Sequence, residues 1–380
     1  MMKVAIDLRW IRSKQIDGIS RYTVNLLLHQ FQLDPAIQYF LIGERALLQH
    51  HADFSAYANV QIIPASLPLL SAQDFMRMHR EIEGLDVDIF HVPYYLSSPF
   101  RGGYKKLFTV YDLIPFLFPD ALSKSRLLWR WFYKTTYPAR FLLRSADGIL
   151  TCSESTRRDL TGMLHLPSDK IHVIGGGVES RFQPGRVAAE AFRSEYRLPQ
   201  RFVLYVGRQD PYKGLSHLVQ AYALLPETLR KNYQVVIAGN TDPRYIGTIH
   251  QLIQDHQLER SFFFLDYLPD RDLPLLYSAA TLLVHPSLYE GFGLTPLEAM
   301  ACGTPVIYAN TSSLAEFVGK AGFAVAPASS EILAAGMRTL LMDETLRENF
   351  SQRGLAHAAR YTWEHVAGRV ITVYEHILGK

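Results

Sequence analysis

One stretch constrains this chain more than any other: Glu290-Gly-Phe-Gly-Leu-Thr-Pro-Leu-Glu298, continuing as Ala-Met-Ala-Cys-Gly-Thr-Pro-Val306. Two carboxylates with seven residues between them stand astride a glycine-rich turn. Upstream, residues 281–285, Thr-Leu-Leu-Val-His, read as a buried strand, and Thr295-Pro296 marks the start of a helix. Gly291 and Gly293 therefore fall where the backbone turns tightly from strand into helix. The amides of Phe292, Gly293 and Leu294 would point outward at the helix N-terminus, where free N–H groups and the helix dipole attract phosphate. Glu298, about one turn inside the helix, can accept hydrogen bonds from ribose hydroxyls, and Glu290, ahead of the turn, can reach a sugar. Such an element can hold a diphosphorylated sugar; without a ligand it would be a buried corner with a capping glutamate.

The rest of the chain alternates strand-like and helix-like runs twice. Residues 4–8, 39–42, 60–63, 88–92, 106–110, 148–152 and 171–174 read as short β runs in the first half, and 202–207, 234–238, 262–265, 281–285, 305–308 and 323–325 in the second. Alternation of this kind implies α/β architecture with parallel, doubly wound sheets that bind ligands at the carboxyl ends of their strands. At 380 residues the chain exceeds the usual size of a single core, so two domains are expected. The glycine-rich stretch 175–185 separates the halves and reads as the hinge. We therefore place one domain over 1–180 and a second over 181–362.

Composition is that of an ordinary soluble globular protein, with 48% hydrophobic and 20% charged residues. A net charge of +3 suits anionic ligands but falls short of a dedicated nucleic-acid binder, and no nucleic-acid partner is expected. Cys152 and Cys302 sit in predicted core segments as small hydrophobes, and neither cysteines nor the 14 scattered histidines cluster as metal ligands. The N-terminal Met1-Met-Lys-Val-Ala-Ile-Asp-Leu8 reads as a first strand rather than a signal peptide, and no stretch reaches the roughly 18 apolar residues of a membrane span. A cytoplasmic location is expected.

Three further constellations carry chemistry. In Tyr205-Val-Gly-Arg208-Gln-Asp-Pro-Tyr-Lys213-Gly214, Arg208 follows a strand end and Lys213 precedes a helix with apolar Leu215, Leu218, Val219 and Tyr222. Arginine offers a planar fork to phosphate oxygens and lysine a compact charge, so together they can stabilise a departing diphosphate. Gly18, in Asp17-Gly-Ile-Ser-Arg21-Tyr22, opens a helix expected over 20–31, where the backbone can approach a phosphate or sugar. The alternative reading of Gly18 is an ordinary turn glycine, and Arg21 either shares in the function or braces the loop. Tyr111-Asp112 follows the strand 106–110; Asp112 can orient an acceptor hydroxyl or contact a donor sugar, or close an Asx turn before Pro115.

Together, Gly18-Ile-Ser-Arg21-Tyr22, Tyr111-Asp112-Leu-Ile-Pro115, Val206-Gly-Arg208 with Lys213-Gly214, and the paired glutamates resemble the retaining glycosyltransferases of family four, in their order and over nearly the whole chain. The Gly-Phe-Gly-Leu-Thr-Pro-Leu-Glu-Ala-Met form is most similar to the mannosyltransferase-like subgroup. The resemblance implies a GT-B fold, two Rossmann-like domains facing a central cleft, with an N-terminal acceptor domain and a C-terminal donor domain. It implies that a last helix over 363–380 returns to the first domain, and that domain closure excludes water during transfer. It further implies a nucleotide-sugar donor, GDP-mannose by subgroup, used without metal or other cofactor. Transfer would be a same-face displacement to a glycan or lipid-linked acceptor, with Arg208 and Lys213 on the diphosphate, Glu298 on the ribose and Glu290 on the sugar. The family commonly has His where this chain has Tyr111.

Between Asp120 and Asp147, Lys124, Arg126, Arg130, Lys134, Arg140 and Arg144 interleave with Trp129, Trp131, Phe132, Tyr133, Tyr137 and Phe141. The segment 123–144 reads as a basic, aromatic helix that either rests on anionic lipid at the inner face of a membrane or packs inward with a solvated basic face. Two other functions share the architecture: a sugar-nucleotide epimerase that eliminates UDP, and a sugar-binding protein without catalysis.

Overall fold

A computed structural model describes residues 1–11, 17–69, 71–95, 97–119, 136–266 and 268–380, with backbone alone at 137 and 186. The chain divides into two compact units, one comprising Met1–Gly177 with Thr362–Lys380, the other Val178–Tyr361.

The first unit contains β1 (Lys3–Asp7), β2 (Gln38–Ile42), β3 (Val60–Ile63), β4 (Ile89–Val92), β5 (Lys105–Val110), β6 (Gly148–Thr151) and β7 (Ile171–Val173). They form a sheet in the order β3-β2-β1-β4-β5-β6-β7, with every pairing parallel. The second holds β8 (Phe202–Val206), β9 (Gln234–Ala238), β10 (Phe262–Leu265), β11 (Leu282–His285), β12 (Val306–Ala309) and β13 (Phe323–Val325), in the parallel order β10-β9-β8-β11-β12-β13. Each expected β run is a strand, and both sheets are doubly wound. Helices cover both faces of such sheets, so central strands must be apolar throughout, and β4, β6, β11 and β12 are buried at every position. Strand order reverses between β1 and β4 in one sheet and between β8 and β11 in the other; doubly wound sheets bind ligands beyond the carboxyl ends of the strands at such switch points.

Within the first unit the helix Gly18–Leu33 begins two residues earlier than expected, because the Asp17 carboxylate accepts from Ser20 N and caps it. The last helix, Trp363–Leu378, packs against it, with Trp363 meeting the edge of Tyr22 at 4.8 Å. The Tyr374 hydroxyl lies 2.8 Å from His91 Nδ1, and His91 Nε2 lies 2.7 Å from the Thr109 hydroxyl, which pins this helix to β4 and β5. Burial lowers the His91 ring to about 3, so it is neutral at physiological pH. Cys152 and Cys302 are both buried, and burial pushes each thiol up to about 12. Among the described residues no helix is long and apolar enough to cross a membrane. Of the basic, aromatic segment 123–144, residues up to 135 lie outside the described residues. The remainder includes the helix Tyr137–Arg144, on which Phe141 is exposed.

Candidate functional site

In the second unit the loops that follow β8 and β11, the two strands at the switch point, converge. Gly214 adopts φ +72°, and a Cβ there would lie 2.3 Å from the Pro286 carbonyl oxygen, so glycine alone lets the first loop press onto the second. Leu288 N donates to the Tyr212 carbonyl at 2.7 Å and fastens the two together. This contact delivers Lys213 to Glu290. Its Nζ donates to both carboxylate oxygens at 2.8 Å, and the pair is nearly buried, with side chains 17% and 11% exposed.

A second group meets the same carboxylate. His285, closing β11, places Nε2 2.9 Å from Glu290 Oε1. Burial by itself would raise the Glu290 carboxyl, but the Lys213 ammonium and the His285 ring overcome it and hold Glu290 well below the usual carboxylate range. Lys213 is the mirror case: burial disfavours its charge, and Glu290 raises it regardless. The Glu290 backbone is clamped too, its N–H donating to the Ser312 hydroxyl at 3.0 Å and its carbonyl accepting from Ser313 at 2.8 Å. Ser312 sits at φ +46°, a conformation that costs a non-glycine residue about 1 kcal/mol. The fold accepts this strain where it fixes Glu290.

Beyond Glu290 the chain turns at Gly293, φ +123°, into the helix Leu294–Ala301, one residue ahead of the expected start. The Phe292 side chain packs on Phe317 with ring centroids 4.2 Å apart, so its ring belongs to the core. Glu298 is 2% exposed and accepts from the Tyr277 hydroxyl at 3.0 Å through Oε2, placing a carboxylate deep beside the turn. Arg208 contrasts with Lys213: its side chain is 54% exposed while Nη2 donates to the Tyr212 hydroxyl at 2.9 Å. The second unit thus gathers Arg208, Lys213, Glu290, Phe292, Gly293, Leu294 and Glu298 around one strand-end region.

Gly18 and Asp112 belong to the first unit. No described neighbour lies within 4 Å of where a Gly18 Cβ would stand, so packing does not demand a glycine there. Asp112 Oδ1 accepts from Ile114 N at 2.9 Å, the Asx turn anticipated before Pro115. Tyr111 is buried, its hydroxyl 2.6 Å from Thr23 and its ring edge-on to Tyr22 at 5.2 Å. The residue standing where the family commonly has His is therefore tied to the helix that Gly18 opens.

Sequence reasoning missed His285, Ser312 and Ser313. A polar residue closing an apolar strand, and the polar run Asn310-Thr311-Ser312-Ser313 after β12, were the available signals. Among the described residues no group of three or more His, Cys, Asp and Glu is placed to hold a metal ion. Chemically, the arrangement offers an exposed guanidinium, an ammonium held against a carboxylate, a helix N-terminus and a deep carboxylate, a set suited to an anionic leaving group carrying hydroxylated rings.

Residues 16–182 match Glycosyltransferase Family 4, and residues 188–357 match Glycosyl transferases group 1. The chain is 35% identical to O-antigen chain mannosyltransferase B of Escherichia coli over 295 residues, 76% of this chain and 74% of that protein. Its fold is similar to that of sucrose-phosphate synthase from Thermosynechococcus elongatus, with TM-score 0.77, 21% identity and 100% of both chains covered. It is also similar to Anabaena HepE in complex with UDP and glucose, with TM-score 0.76, 19% identity and coverage of 99% of this chain and 100% of that one.

Proposed function

The chain belongs to the family-4 glycosyltransferases, with the two parallel-sheet units of the GT-B architecture, and from that premise we propose that it is a retaining, metal-independent mannosyltransferase using GDP-mannose. The observation that carries this reading is the convergence of Arg208, Lys213 and Glu290 at the ends of β8 and β11, beside the helix opened by Gly293. Mannose is supported by the activity named for the Escherichia coli relative.

In this reading the amides of Phe292, Gly293 and Leu294 receive the diphosphate, Glu298 holds the ribose and Glu290 positions the sugar. The acceptor hydroxyl attacks the anomeric carbon on the face from which the diphosphate leaves. The carbon–oxygen bond to phosphate breaks as the new glycosidic bond forms, and the hydroxyl proton passes to the departing phosphate oxygen. Arg208 and Lys213 stabilise the charge that develops there, in place of a metal ion. Gly18 gives the backbone room beside the donor, and Asp112 orients the acceptor hydroxyl. The acceptor is a glycan or lipid-linked saccharide, approached in a cytoplasmic enzyme whose segment 123–144 rests on anionic lipid; exposed Phe141 on the helix Tyr137–Arg144 supports that contact.

The test is a thermal-shift panel of GDP, UDP, ADP and dTDP, each with and without its sugars. A ligand binding only the native state stabilises it by about 2.7 kcal/mol at a hundred times its dissociation constant, which ranks the bases. The anomeric configuration of the product, read by NMR, then checks retention. A preference for UDP over GDP, an inverted product, or epimer formed without acceptor would each overturn the corresponding part.

A further inference from the structure

Beneath Arg208 lies a carboxylate that the donor reading leaves without a role. Asp210 is fully buried, and among the described residues no donor is aligned to hydrogen-bond either of its oxygens. Two guanidinium groups flank it instead. Arg208 Nε lies 3.0 Å from Oδ2, and Arg244 Nη2 lies 3.7 Å from Oδ1. A buried carboxylate is costly unless cations compensate it, so its position between two arginines is what the fold can tolerate.

Arg244 comes from a different loop, the one after β9, and is itself held. It donates from Nε to Asp242 Oδ1 at 3.0 Å and from Nη2 to Oδ2 at 2.6 Å, and Asp242 N donates to the Gln209 side-chain carbonyl at 2.7 Å. Two loops are thereby joined through four consecutive contacts: Arg208 to Asp210, Asp210 to Arg244, Arg244 to Asp242, and Asp242 to Gln209. Arg208 makes two further contacts: the Tyr212 hydroxyl accepts from Nη2 at 2.9 Å, and the Arg208 carbonyl accepts from the Tyr205 hydroxyl at 2.7 Å. The guanidinium plane is therefore oriented by contacts at two of its nitrogens while half of the side chain stays in solvent.

We propose that Asp210 and Arg244 are positioning residues for transfer, Asp210 holding the Arg208 guanidinium in its phosphate-facing orientation and Arg244 balancing the buried charge. The inference rests on the assignment of Arg208 to the diphosphate. An arginine free to rotate can still bind a diphosphate by reorienting around it. Catalysis, however, requires the cation to be in place when leaving-group charge develops, because preorganisation is what makes such stabilisation effective. Asp210 also opposes the diphosphate as a like charge. Its neutralisation therefore divides binding from turnover in a way that simple loss of structure would not.

The experiment compares parent, Asp210→Asn, Asp210→Glu, Arg244→Met and the double variant Asp210→Asn/Arg244→Met. Measured are melting temperature, calorimetric affinity for GDP and UDP, and kcat. Asp210→Asn should melt near the parent, bind the nucleoside diphosphate as tightly or more tightly, and lose about tenfold or more in kcat. Asp210→Glu should recover part of that loss, and the double variant should be no worse than Asp210→Asn alone, since both act through one orientation. Unchanged kcat in a folded Asp210→Asn, or affinity and kcat falling in parallel, overturns the proposal. If Asp210→Asn fails to fold, the partly exposed Arg244→Met decides, and its unchanged kcat is equally fatal. A parent that binds neither GDP nor UDP overturns the donor reading and this proposal with it, whereas a binding parent with unaffected variants overturns this proposal alone.

Discussion

Lys213 Nζ stands 2.8 Å from both carboxylate oxygens of Glu290, across 77 residues of sequence, and the two charges share a nearly buried site. Burial disfavours the charge on each, and the pairing, helped at Glu290 by His285, favours it. Removing both partners should therefore harm stability less than the two single removals added together. Lys213→Met should cost about 3 kcal/mol by leaving the Glu290 carboxylate undercompensated. Lys213→Met/Glu290→Gln should lose clearly less than the sum of the single changes. Urea unfolding of the four proteins checks this, and additive losses would contradict it.

The same pair sets an acid limb. Because the folded Glu290 carboxyl is held below its ordinary value of 4.5, the unfolded chain binds more protons as pH falls. Its stabilising contribution is complete above that ordinary value and is lost progressively as pH drops below it toward the depressed folded value. Glu290→Gln removes the titrating group, so the urea midpoint of this variant should fall less steeply than that of the parent between neutral and acid pH. Parallel curves would show that Glu290 is not the linked group.

Glu298 and Glu290 should separate binding from turnover. Glu298, buried and hydrogen-bonded by Tyr277, has the depth for a ribose, so Glu298→Gln should weaken the bare nucleoside diphosphate about tenfold or more. Glu290→Gln should leave that affinity nearly intact and depress kcat. Calorimetry paired with initial rates distinguishes the two, and equal losses of nucleotide affinity would refute the division of roles.

Charge stabilisation by Arg208 and Lys213 predicts that transfer survives EDTA. Lys213→Ala should cost on the order of a hundredfold in kcat. Initial rates with and without chelator, in both proteins, are the check, and a strict need for Mg²⁺ or Mn²⁺ would reverse the assignment.

A lipid contact by 123–144 predicts co-sedimentation with anionic vesicles at low salt and release at high salt, since such attraction is screened over about 8 Å at physiological ionic strength. Arg126→Glu/Arg130→Glu/Lys134→Glu should abolish sedimentation and leave the nucleotide-induced thermal shift unchanged. Persisting sedimentation in this triple variant would show that those three cations do not carry the contact.

What the residues determined by themselves was the two-fold alternation of strand and helix. Parallel strands covered on both faces must be apolar throughout, and that requirement is written locally in runs such as Leu282–His285 and Val306–Ala309. The helix Trp363–Leu378 was expected from the resemblance to the family rather than from a local pattern. The glycine turn between Glu290 and Glu298 was also local, because its conformational demand falls on residues adjacent in the chain. Only the tertiary structure decided which charges meet. Lys213 could have faced solvent, His285 could have been one more core residue, and Asp210 could have been an ordinary loop acid. Their partners were chosen when the loops after β8, β9 and β11 packed against one another, through contacts such as Gly214 on Pro286 and Leu288 on Tyr212. Such pairings depend on the approach of segments distant in sequence, and buried charges leave no periodic trace in the chain that could announce them.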